Sequence, residues 1–176
     1  MTKEVINPSS LGPAVGPFSR AVRIGDMLYI AGTSALSHLS GPLNERYLPP
    51  SIEEQTRLTY DNIKKVVEAA GGTMADIFKT TVLIKHDKDY ATINKIRGAY
   101  FPNAGLISTA FICDLIRPDM LIEVEAQAYL PVKAGPRAAA RRTKRTRTIS
   151  ARPRRSASTG RRRSASTKPG TKARRR

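Results

Sequence analysis

Ile122-Glu123-Val124-Glu125-Ala126-Gln127-Ala128-Tyr129-Leu130 decides how the rest of the chain is read. Successive side chains of a strand alternate between its faces, so Ile122, Val124, Ala126, Ala128 and Leu130 point one way and Glu123, Glu125, Gln127 and Tyr129 the other. One side of this strand is dry. The other presents two carboxylates at i and i+2, either to bulk water or to a polar cavity or subunit interface. A strand with one apolar face needs a second layer against it, and the sequence before it supplies helices.

Ser51-Ile52-Glu53-Glu54 places a serine three residues ahead of a glutamate, a capping box that satisfies free N–H groups of a first helical turn. Behind it Thr56, Thr59, Ile63, Val66, Val67 and Ala70 recur at spacings of three and four. Glu53 and Glu54 complement the positive end of the helix dipole, and Gly71-Gly72 accepts the left-handed conformation that ends a helix. The pattern predicts a helix over 52–70. On the N-terminal side, Phe18–Ile24 and Met27–Gly32 flank the turn Gly25-Asp26 and predict a hairpin. On the other side, Ile77–Lys85 is rich in β-branched residues and predicts a strand. Asp89 is expected to cap a second helix running to about Tyr100. Strands are expected near 107–115 and 121–130, separated by Arg117-Pro118-Asp119. Pro8–Pro17 and Ser34–Pro50 read as loops. The order β-β-α-β-α-β-β predicts an α+β domain with helices packed on one face of a sheet.

Charge divides the chain. Among its 176 residues are 31 Lys and Arg and 14 Asp and Glu, a net charge of +17. All 14 acidic residues precede residue 133, whereas 133–176 holds 18 basic ones. A nearly neutral domain, 1–132, is therefore followed by a polycationic tail, 133–176. Apart from alanines and Ile149 the tail lacks apolar side chains, so it is expected to be disordered. It repeats Arg-Arg-Ser-Ala-Ser-Thr at 154–159 and 162–167. Its cations predict nonspecific DNA or RNA association through counterion release, and its lack of aromatic residues argues against base stacking.

A single cysteine, Cys113, excludes an intrachain disulfide and a multi-cysteine zinc site. His38 and His86 are too few for most histidine metal centres, so neither metal nor cofactor is expected. Cys113 reads as a small buried apolar residue, and His86-Asp87 as a surface turn. No apolar run approaches membrane-spanning length, and the N-terminus lacks a secretory h-region. A cytoplasmic protein is expected, with nucleoid or other nucleic-acid association through the tail.

Several of these stretches carry a family resemblance. Gly16-Pro17-Phe18-Ser19-Arg20-Ala21 is similar to the Gly-Pro-Tyr-Ser-x-Ala motif of the RidA (YjgF) family, the reactive intermediate deaminases. Ile30-Ala31-Gly32-Thr33 resembles its Ser-Gly-Gln strand end, and Gln55-Thr56, Asp61–Lys64 and Val67–Gly71 resemble its first helix. Lys79–Val82 and Asp89–Asn94 match in order, and Ile122–Ala128 resembles the closing Glu-Ile-Glu-Ala-x-Ala stretch. The resemblance covers nearly all of 5–130 and excludes the tail.

It implies a chorismate-mutase-like fold and a homotrimer whose sheets form an inner barrel, with ligand pockets between subunits. It further implies hydrolysis of enamine or imine intermediates to a carbonyl product and ammonia without metal or organic cofactor. Glu123 aligns with the glutamate that orients water and shuttles a proton, and Asn94 with a pocket asparagine. Phe18, Ser19, Thr33, Ser108 and Thr109 are expected to line the substrate site. The chain also departs from the pattern. Where relatives carry an arginine in Pro-Ala-Arg-[Ser/Thr] to hold the substrate carboxylate, this sequence reads Leu106-Ile107-Ser108-Thr109. The motif tyrosine is Phe18. These two losses imply an altered imine substrate or a non-catalytic binding role. Arg20 reads as a solvated surface charge, its alternative being a cation that enters the pocket from another direction.

Overall fold

The computed structural model describes residues 2–102 and 105–131. Six strands form one sheet: β1 (Lys3–Ile6), β2 (Ala21–Ile24), β3 (Met27–Thr33), β4 (Ile77–Ile84), β5 (Ile107–Ile112) and β6 (Ile122–Tyr129). Two helices join them, α1 (Ile52–Ala69) and α2 (Tyr90–Tyr100). The strand order is β1-β2-β3-β6-β4-β5, with β4 and β5 parallel and the other pairs antiparallel. The expected α+β architecture of two helices and one sheet is present. The tail lies outside the described residues, as does the expectation of its disorder.

The alternation read in β6 is the alternation observed. Ile122, Val124, Ala126 and Ala128 are buried, Glu123 and Gln127 half-buried, and Glu125 and Tyr129 exposed. β6 is a central strand, and its dry side joins Ile63, Val66 and Val67 of α1 in one core cluster. Complete burial of such a side chain contributes about 1.5–3 kcal/mol, so this contact fixes which face of the sheet stays open. The α1 cap forms as the sequence requires, Glu54 N–H donating to Ser51 Oγ at 3.1 Å. Gly71 closes the helix at φ +84°. Gly25 at φ +60° turns β2 into β3, pairing Ile24 with Met27.

Several expectations are corrected. The first hairpin strand begins at Ala21 rather than Phe18, and the residue before it, Arg20, is bonded to the carbonyls of Gly12, Pro13 and Ser37. A further edge strand, β1, pairs with β2. Residues 34–50 hold short 3-10 turns at Ala35–His38 and Leu43–Glu45. The Asp89 side chain does not cap α2; it is buried at the end of a 3-10 turn, Asp87–Asp89, that leads into the helix. β5 stops at Ile112, leaving Cys113 half-buried rather than in the core. No helix among the described residues is long and apolar enough to cross a membrane.

Candidate functional site

The register of β3 against β6 slips between Ile30, opposite Ala126, and Thr33, opposite Val124. One extra residue is accommodated in β3, a bulge of the kind that re-aims side chains at sheet positions next to functional sites. Gly32 stands in this bulge. A Cβ there would lie 2.3 Å from Glu123 Oε1 and 3.1 Å from its Cδ. The missing side chain is thus the space in which the Glu123 carboxylate lies.

Glu123 and Gly32 share a cavity of about 240 Å³ with Phe18, Ser34, Arg20 and Arg46. Apolar side chains from the loop before β2, the 3-10 turn and the loop before β6 complete its wall, among them Val15, Leu36 and Ile116. Burial, and to a smaller extent the neighbouring Glu125 carboxylate, raises the pKa of Glu123. The two carboxylates of β6 therefore differ: Glu123 is held back from water inside a cavity, while Glu125 is exposed on the open sheet face. A carboxyl with raised proton affinity beside an apolar wall is suited to exchange a proton with water or ligand.

Arg20 is not a solvated surface charge. It is 6% exposed, and its guanidinium donates to the carbonyls of Gly12 (2.8 Å from Nη2), Pro13 (3.0 Å) and Ser37 (3.1 Å). Arg46 is equally buried and donates to Gly41 O at 3.0 Å and Leu36 O at 3.3 Å. Two arginines thus tie the loops that wall the Glu123 cavity. Burial, then the charge of Arg46, lowers the pKa of Arg20.

The other expected site residues are distributed. Phe18 lines the cavity and is 47% exposed. Ser19 is half-buried beside it in sequence without lining it. Thr33 is buried, its hydroxyl donating to Ala31 O at 2.8 Å, and its side chain does not line the cavity. Ser108, Thr109 and Asn94 belong to the α2–β5 edge of the domain. Ser108 pairs in register with buried Thr80, whose hydroxyl donates to Ser108 Oγ at 3.1 Å on the helix side of the sheet. Thr109 is the next residue along β5 and so faces the open side, level with Thr81 and Glu125. Within one chain the structure does not gather these residues around Glu123.

One residue near this edge escaped the sequence reading. Arg97 Nη1 donates to Ser108 Oγ at 2.6 Å. Its charge also reaches the Tyr60 hydroxyl, which is enclosed without a hydrogen bond of proper geometry. Burial pushes that phenol up to about 12, against the opposing pull of Arg97. Asn94 lies three residues earlier on the same side of α2, its Oδ1 enclosed and unpartnered. The i, i+3 spacing of Asn94 and Arg97 was the signal available. Among the described residues no group of three or more His, Cys, Asp or Glu side chains is placed to hold a metal ion.

The fold and its carboxylate-floored cavity define a small α+β domain in which one central strand carries an acid into a loop-walled pocket. The chain belongs to the RidA (YjgF) family, and the family described as Endoribonuclease L-PSP matches residues 9–130. A RutC family protein of Pyrococcus horikoshii is 35% identical over 127 residues, covering 72% of this chain and 98% of that protein. RidA from an Antarctic Psychrobacter superposes with a TM-score of 0.65 at 25% identity, over 72% of this chain and 99% of its own. E. coli TdcF with bound serine gives 0.64 at 27% identity, over 72% and 98%. The basic segment lies beyond the part these relatives share.

Proposed function

We propose that this protein hydrolyses a reactive imine, or the enamine in equilibrium with it, to a carbonyl compound and ammonia. The observation that carries the reading is Glu123: a carboxyl of raised proton affinity, set in a cavity by a glycine bulge. Water adds to the C=N carbon while the nitrogen takes up a proton. Glu123 accepts a proton from the added water and returns it to the departing amine, and the C–N bond breaks to release ammonia. The hydroxyl proton passes to solvent, which supplied the nitrogen's first proton, as the carbonyl forms. No redox partner is needed for this balance. Ammonia release from freshly generated 2-iminopropanoate above the buffer rate tests the reading. A rate equal to buffer across small aliphatic imino acids would end it.

The same reading includes a homotrimer. Every residue of β5 is exposed, including Ile107 at 60%, Phe111 at 53% and Ile112 at 56%. Apolar edges of this kind are normally paired or covered. A neighbouring copy laid on this edge would bring Asn94, Ser108 and Thr109 of one subunit toward the Glu123 cavity of the next. Native mass spectrometry is expected to give three times the chain mass.

A second reading is favoured by the charge split in the sequence: a metabolite-binding trimer tethered to DNA or RNA by residues 133–176. The serine held by TdcF supports small-molecule binding in such a domain. Eighteen cations per chain make the tether steeply salt-dependent, since even 6–10 phosphate contacts lose about 10³–10⁵ in affinity between about 50 and 200 mM salt. Truncation after Pro131 is expected to abolish low-salt DNA retention in a mobility-shift assay while leaving imine hydrolysis intact. Unchanged retention removes the tether.

A further inference from the structure

We propose that Arg20 and Arg46 form a two-pronged anchor for the carboxylate of a small monocarboxylate ligand on the wall of the Glu123 cavity, in place of the strand arginine that Ser108 lacks. The inference rests on the reading of that cavity as the ligand site.

Both arginines line the cavity, and each is 6% exposed. Arg20 uses Nε and Nη2 on the carbonyls of Gly12, Pro13 and Ser37. Arg46 uses Nε on Gly41 O and Nη1 on Leu36 O. Arg20 Nη1 and Arg46 Nη2 remain without a hydrogen bond among the described residues. Neither is among the enclosed, unpartnered atoms of the domain, so both retain access to open space. Each guanidinium is fixed by carbonyls through two of its nitrogens and keeps the third to donate, so it is held in place for a carboxylate.

Charge gives the stronger argument. The ion pairs among the described residues are Lys64–Glu68, Lys85–Asp114 and Arg117–Asp119, so neither buried arginine has a carboxylate partner there. The two cations feel one another, since Arg46 contributes to lowering the pKa of Arg20. Like charges set in a partly dry wall without a counter-ion are costly, and an anion between them relieves both. Glu123 does not supply it. It forms no ion pair with either arginine, and burial and Glu125 are what act on its carboxyl.

The remaining wall selects the class of anion. About 240 Å³ bounded by Phe18, Val15, Leu43 and Ile116 suits an acid with a short apolar chain. With the carboxylate at the arginines, the rest of the ligand lies in the same cavity as Glu123, which is the arrangement hydrolysis of an adjacent C=N bond requires.

The test uses the full chain labelled with ¹⁵N-arginine, with Nε–H resonances assigned through the variants. Pyruvate is the anionic probe and pyruvamide its uncharged counterpart. Pyruvate is expected to shift the Arg20 and Arg46 resonances saturably, and pyruvamide to bind at least tenfold more weakly. R46Q and R20Q should each weaken pyruvate binding tenfold or more, R46K should retain part of it, and R57Q, on the exposed side of α1, should leave it unchanged. Thermal melts accompany each variant because these side chains also hold loops, and the resonances of the unaltered protein decide the matter if a variant unfolds. Absence of a saturable shift, equal binding of pyruvate and its amide, or loss of binding in R57Q but not R46Q overturns the anchor. If ammonia release proceeds and R46Q changes neither KM nor binding, the hydrolase reading stands and the anchor falls. If the resonances shift as expected and no imine is hydrolysed, the anchor stands and the hydrolase reading falls.

Discussion

Glu123→Gln is expected to lower the rate of imine hydrolysis by about 10²–10⁴-fold, the range a positioned general acid–base group contributes, with unchanged or slightly raised thermal stability. The stability side follows from linkage. Burial and Glu125 raise the pKa of Glu123 in the folded state, so the folded chain binds its proton more tightly than the unfolded chain does. The stabilisation from this group is present below the unfolded pKa and is lost as pH rises through the folded one. At neutral pH the ionised carboxylate is therefore a burden on the fold, and glutamine removes it. The activity side runs the opposite way, because the step from water requires the carboxylate. The acid limb of the rate profile should lie above the ordinary glutamate range in the parent protein and vanish from the residual activity of the variant. Stopped-flow ammonia release from pH 5 to 9, with melts at each pH, separates the two. Full activity in Glu123→Gln would remove this residue from the chemistry.

The elements that the sequence announces are those whose local chemistry and tertiary packing agree. The 52–69 helix carries its cap at Ser51, its apolar stripe and its stop at Gly71, and the structure uses all three. β6 alternates because one side meets α1 and the other does not. β1 had no such agreement. Its four residues, Lys3–Ile6, are exposed except at Ile6 and owe their conformation to hydrogen bonds from β2. Asp89 misled for a related reason: an aspartate before a helix is a good cap in isolation, but a 3-10 turn already occupies that position and buries it.

The site was legible in its acid and illegible in its cations. Glu123 could be placed because strand periodicity orients it, and the family resemblance gave it a role. Arg20 looked like surface charge because nothing in a linear pattern reports the carbonyls of Gly12, Pro13 and Ser37 converging on it. Arg46 sat in a stretch that read only as loop. Arg97 lay visibly on α2, yet its contact with Ser108 depends on the parallel pairing of β4 and β5, which carries Ser108 beside Thr80 under the helix. Long-range pairing, rather than local propensity, decides where a charged side chain ends.

Gly32→Ala separates the position of the acid from its identity. Gly32 does not adopt a positive φ, so alanine fits the backbone, and the loss of unfolded-state freedom alone would stabilise by about 0.4–1 kcal/mol. The new methyl group, however, falls 2.3 Å from Glu123 Oε1. The atom it meets is the free end of a flexible side chain, so the carboxylate moves and the backbone does not. Stability should therefore change by no more than about 1 kcal/mol in either direction. Activity should fall by about 10²-fold, the cost of displacing a reacting group by about an ångström. Pyruvate affinity should change little, because the carboxylate anchor lies on another part of the wall. The expected pattern is a fall in kcat with KM and Tm nearly constant, which neither unfolding nor loss of ligand binding produces. If kcat is untouched while chemical denaturation places the variant within this window, the close approach of Gly32 to Glu123 has no part in catalysis, and the bulge in β3 is a feature of sheet packing alone.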